Sequence, residues 1–139
     1  MSNARGYQQY AANNAVTASP ERLVVMAYDG MVRFLGLAQE AMQNQQYEEQ
    51  NAQIQRVQQI LGVLQAGLNP EYQPEFCQSL SSLYDYFMLR LTEANVAGDL
   101  KILEDIRARI ADLRNAWAQA EVNVRNQGQD SGPVSLEAA

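Results

Sequence analysis

The chain has 139 residues, enough for one domain with a sizeable core, and ten Lys and Arg against sixteen Asp and Glu leave a net charge of −6. That balance disfavours nucleic-acid binding, which needs a basic surface to neutralise phosphates; Met1 to Gln59 carries only Arg5, Arg22, Arg33 and Arg56, and no Lys. With no His, the sequence lacks what a phospho-His relay, a Glu-x-x-His di-iron bundle or a Ser/His or Cys/His hydrolase requires.

Residues 1–18 form a Gln/Asn/Ala-rich segment punctuated by Tyr7 and Tyr10, a composition that predicts a flexible N-terminal arm. It has one Arg and no apolar h-region, so it does not read as a signal peptide, and the apolar run Leu23 to Tyr28 is far too short to span a membrane. Helix one is expected from residue 19 to about 44. Ser19 can cap it, Pro20 suits the first helical position because its missing N–H costs nothing there, and Glu21 favours the positive helix end.

Placed at 100° steps, the polar residues Arg22, Asp29, Arg33 and Glu40 of helix one collapse onto a narrow strip. Leu23, Ala27, Met31, Phe34, Ala38 and Ala41 fill the centre of the apolar arc. Val25, Tyr28 and Val32 extend it on one side, and Met26 and Leu37 on the other. This is more apolar surface than one side of a bundle helix needs. Either neighbouring helices and the arm cover it, or a partner does.

Helix two is expected over residues 47 to about 67, with Ile54, Val57, Leu61, Leu64 and Leu68 at three-and-four spacing. NPEYQP, Asn69 to Pro74, is a loop by its prolines. Helix three follows from about Glu75 to Val96, with a core stripe of Phe76, Leu80, Leu83, Phe87, Leu91 and Ala94. Tyr84 and Met88 lie on one flank of that stripe, while Tyr86 and Leu89 share a face with Ser82, Asp85 and Glu93. Cys77 is alone, which excludes an internal disulfide, suits a reducing compartment and reads as a small buried apolar residue.

Ala97-Gly98-Asp99 is a short turn with Asp99 as the next N-cap, and helix four runs from Leu100 to about Arg125 on Leu103, Ile106, Ile110, Leu113, Trp117, Ala120 and Val124. Trp117 reads as a core anchor. The polar, Gly- and Pro-interrupted residues 126–139 are expected to be a disordered tail. The expected architecture is all-α: an antiparallel four-helix bundle over residues 19–125 between arm and tail. The acidic groupings Glu48-Glu49, Glu104-Asp105 and Asp85/Glu93 have no nitrogen or thiolate donor at metal-ligand spacing, and Asp105 with Arg109 is an ordinary surface pair. No phosphate loop is present, so no catalytic, cofactor or metal residue is assigned.

Four stretches, in order, carry a specific likeness: YQQY (Tyr7 to Tyr10), VTASPERLVVMAYDGMVRFL (Val16 to Leu35), LYDYFMLRLTEAN (Leu83 to Asn95) and DLRNAWAQA (Asp112 to Ala120). Together they resemble the flagellin-specific export chaperone family, FliS, across roughly residues 7–125. The chain departs from the family pattern at Leu89, where a second basic residue is common, and at Ala27, where Leu is common.

The resemblance implies a cytoplasmic, non-enzymatic bundle that uses neither ATP nor metal. It would bind the C-terminal segment of flagellin, prevent premature polymerisation and assist delivery to the flagellar type III export apparatus. It also allows the export gate or a flagellar regulator as a further partner. Joined to the surplus apolar surface, it makes Tyr7, Tyr10, Val16, Val25, Met26, Tyr28, Val32, Tyr84, Tyr86, Met88 and Leu89 the expected partner contacts. The competing use of the same surface is a homodimer.

Overall fold

The structure, a computed structural model, describes residues 18–127. Among them run α1 (Pro20–Gln43), α2 (Tyr47–Ala66), α3 (Pro74–Ala97) and α4 (Leu100–Gln127), with no strand. Residues 1–17 and 128–139, nearly all of the expected arm and tail, lie outside the described residues, Tyr7, Tyr10 and Val16 among them, while Asn126 and Gln127, expected to begin the tail, continue α4. α1 packs most extensively, against α2 and α4; α2 packs on α3, and α3 on α4. The helices therefore follow one another around the bundle, and the α1/α2 and α3/α4 seams face opposite ways.

Local chemistry sets the ends. Ser19 Oγ accepts from the Arg22 N–H at 3.1 Å, and Pro20 occupies the first turn, as its sequence context requires. Gly98 takes the left-handed conformation that closes α3 (φ 64°), and Asp99 Oδ1 then accepts from the N–H groups of Lys101 at 3.0 Å and Ile102 at 3.3 Å to start α4. Asp99→Ala removes that cap; thermal melts should show a loss of about 1 kcal/mol of stability.

Three glutamines one helical face apart fix the antiparallel register of α2 on α3. Gln50, Gln58 and Gln65 donate from Nε2 to the carbonyl oxygens of Asn95 (3.2 Å), Met88 (3.2 Å) and Ser81 (3.0 Å). On the α1/α4 seam, Arg107 Nε donates to the Val32 carbonyl at 3.2 Å. Its guanidinium passes so close over Gly36 that a Cβ there would lie 2.9 Å from Nη2, which is why that position suits glycine.

The buried face of α1 is rotated from the sequence expectation. Val24, Val25, Tyr28, Met31, Leu35, Ala38 and Ala41 are buried, whereas Leu23, Ala27 and Phe34 are only half-buried. The apolar arc is wide enough to accept several orientations, and the docking of α2 and α4 on either side of α1 selects this one. Val25 and Tyr28, expected on a flank, are thereby drawn into the core.

Candidate functional site

The C-terminal half of α4 carries more apolar surface than the bundle covers. Its stripe continues past Ile110 through Leu113, Trp117 and Ala120, yet only Leu103, Ile106 and Ile110 are fully buried. The facing half of α3 behaves likewise: Phe76 is 44% exposed, and Leu83 is half-buried. The two helices are joined tightly at Gly98 and Asp99, and between their far halves an open groove of about 430 Å³ remains.

Phe76, Ser79, Leu80, Leu83, Leu113, Ala116, Trp117 and Ala120 line this groove, and none carries a charge. Phe76 and Trp117 meet edge to face, ring centroids 6.5 Å apart at 75°. Such a surface has little to offer a small polar substrate. It can take apolar side chains presented along a helix or an extended segment, with burial as the driving force.

Beneath the groove, Trp117 also lies 6.4 Å from the ring of Tyr28. Tyr28 and Tyr84 are fully buried and share a hydroxyl–hydroxyl hydrogen bond of 2.7 Å, linking α1 to α3 across the core. Burial pushes both phenols above their ordinary value; at Tyr28 the hydrogen bonds of Tyr84 and Trp117 offset part of that rise, while at Tyr84 the neighbouring Tyr28 adds to it. The pair therefore stays neutral. It is a polar tie in an apolar interior, in which the two hydroxyls bond each other and Trp117 also reaches that of Tyr28.

The sequence-predicted contacts do not form one surface. Val25, Tyr28 and Tyr84 are corrected: all three are 0% exposed, enclosed where α1 meets its neighbours and where α1 and α3 face each other, so they are core residues and not surface contacts. Val32 and Met88 are half-buried against the core. Met26 (42%), Tyr86 (41%) and Leu89 (59%) are exposed, Met26 on α1 and the other two on α3. The groove residues were legible only as core stripes. The available signal was length: the stripe on helix four continues for several turns, and Phe76 opens the stripe on helix three directly after a Pro-bounded loop.

Among the described residues no group of His, Cys, Asp and Glu is arranged to hold a metal ion, and no helix is long and apolar enough to cross a membrane. Comparison with known proteins gives a consistent picture. Residues 2–124 match the model of the family described as flagellar protein FliS. The chain is 33% identical to the flagellar secretion chaperone FliS of Bacillus subtilis (strain 168), over 93% of this chain and 96% of that one. It is 30% identical to the flagellar secretion chaperone FliSB of Pseudomonas aeruginosa, over 84% of this chain and 94% of the relative. A solved structure of a bacterial flagellar chaperone superposes with a TM-score of 0.71 at 20% identity, covering 87% of this chain and 98% of that one, a likeness of fold.

Proposed function

This chain belongs to the FliS family, and from that premise we propose that it is a flagellar secretion chaperone whose α3/α4 groove receives the C-terminal segment of flagellin. The observation that carries the reading is the open, uncharged groove lined by Phe76, Leu83 and Trp117. An amphipathic segment that orders on binding can lay its apolar side chains there, which keeps it from polymerising and leaves it releasable for export. The role is non-enzymatic and cytoplasmic, and it needs neither nucleotide nor metal. The exposed Met26, Tyr86 and Leu89, with the half-buried Val32 and Met88, extend the contact beyond the groove as the segment wraps the bundle.

The N-terminal arm is the regulatory part of this reading. α1 begins beside the last turns of α4, where Arg22 Nη1 lies 3.4 Å from Glu121 Oε1, one turn beyond the groove residue Trp117 and next to Ala120. The arm therefore joins α1 at the groove's open end, within reach for Tyr7 and Tyr10 to occupy it until flagellin arrives. Deleting residues 1–15 should tighten binding of a flagellin C-terminal peptide. Weaker binding would make the arm a contact in its own right.

The overall reading is tested by co-purification with full-length flagellin and with flagellin lacking its C-terminal segment, followed by light scattering. A one-to-one complex formed only with the intact flagellin is expected. A stable homo-oligomer indifferent to flagellin would overturn the proposal.

A further inference from the structure

The opposite seam of the bundle holds a second groove of different chemistry. Between α1 and α2, a cavity of about 320 Å³ is lined by Ala27, Phe34, Ile60, Val63 and Leu64, with Arg56 and Gln59 at its rim. Gly30 lies beside it, where a Cβ would touch two of the lining side chains, Ile60 at 3.7 Å and Phe34 at 3.8 Å. The apolar surface continues outward onto Val63 (53% exposed) and onto Leu37 of α1 (38%).

Two guanidinium groups converge on this groove. Arg33 lies 4.7 Å and Arg56 5.5 Å from the centroid of the Phe34 ring, one from each helix. On the other faces Arg22, Arg90, Arg109 and Arg114 each pair with a carboxylate, of Glu121, Glu93, Asp105 and Asp29. Among the described residues Arg33 and Arg56 pair with no carboxylate, as do Lys101, Arg107 and Arg125, but Arg33 and Arg56 alone share one aromatic ring, although the chain as a whole carries a charge of −6. Two like charges held on one ring beside an apolar trough define the missing counterpart.

We propose that the α1/α2 groove docks an amphipathic helix of a protein partner whose apolar residues enter the trough and whose Asp or Glu side chains, one turn away, bridge Arg33 and Arg56. The guanidinium forks match carboxylates, and stacking on Phe34 holds them in place before the ligand arrives, so little side-chain freedom is lost on binding. Because this seam faces away from the α3/α4 groove, the two can be occupied together. The inference does not rest on the flagellin reading.

The test uses the full chain and two fluorescein-labelled synthetic peptides of about five helical turns. They share one Leu/Phe face and differ only in whether Glu or Lys residues flank it. Anisotropy should show the acidic peptide binding at least about tenfold more tightly than the basic one. Arg33→Gln/Arg56→Gln should weaken the acidic peptide about tenfold or more and erase its preference, and Gly30→Leu should weaken both peptides by crowding the groove beside Ile60 and Phe34. Melting curves establish that both variants fold; Ala116→Arg, in the other groove, should leave the acidic peptide's affinity unchanged.

Equal affinity for the two peptides, or indifference to the Arg substitutions, overturns the proposal. So does a peptide-free dimer dissolved by Arg33→Gln/Arg56→Gln, which would make a second copy of the chain the occupant. Loss of flagellin C-terminal peptide binding in the same variant would mean that one ligand spans both faces, also against a separate partner. Retention of that binding supports it.

Discussion

Ala116→Arg should lower the affinity for a flagellin C-terminal peptide at least about 30-fold, read by calorimetric titration. Ala116 is exposed on α4 at the edge of the groove, so the longer side chain needs no space inside the bundle, and Arg is a good helix former. The thermal midpoint should therefore stay within a few degrees of the parent. In the complex, however, the guanidinium would be covered by apolar side chains with no carboxylate on the groove wall to meet it. An unpaired charge trapped in an interface costs roughly 2–5 kcal/mol, which is the source of the expected factor. Leu89→Ala, on an exposed position outside the groove, should have a much smaller effect. Unchanged affinity in Ala116→Arg would remove the groove from the binding surface.

The second large effect concerns the buried Tyr28–Tyr84 pair and alkaline pH. Both phenols are raised in the folded chain, so above about pH 10 the unfolded chain gives up protons that the folded chain retains. The unfolded state then binds fewer protons, and the slope of stability against pH is negative. The contribution is fully present below pH 10 and is lost as pH rises toward the folded values. The slope approaches about 1.4 kcal/mol per pH unit for each tyrosine, against a total stability of about 5–15 kcal/mol for a domain of this kind.

Urea unfolding between pH 9 and pH 11.5 checks this; the midpoint should fall steeply above about pH 10. In Tyr28→Phe/Tyr84→Phe that fall should largely disappear. At neutral pH, Tyr28→Phe leaves the buried Tyr84 hydroxyl without its partner and should cost about 1–3 kcal/mol, whereas the double variant should cost less than the two singles summed, because the shared hydroxyl bond is lost only once. Additive single losses would show that the hydroxyls do not depend on one another.

The sequence by itself determined the number, order and ends of the helices, because those are set by contacts within one turn of the chain. Ser19, Gly98 and Asp99 terminate or start helices through their own side chains or backbone freedom, whatever packs nearby. Period-of-3.6 stripes likewise identified residues that do form the core, such as Ile54, Leu61, Phe87 and Ile106. Local motifs also carried the family resemblance, since they are read in order along the chain.

Only the tertiary structure decided which apolar residues stay uncovered. Tyr28 and Tyr84 read as flanking residues, and their shared hydroxyl bond is invisible until α1 and α3 face each other. Phe76 and Trp117 sat on core stripes, yet they line an open groove because α3 and α4 do not close over their far halves. Helix periodicity specifies the direction of a side chain around its own axis; burial also depends on the position of the neighbouring helix. That distance is set by packing across the whole bundle, and it left a stripe that reads as core partly uncovered.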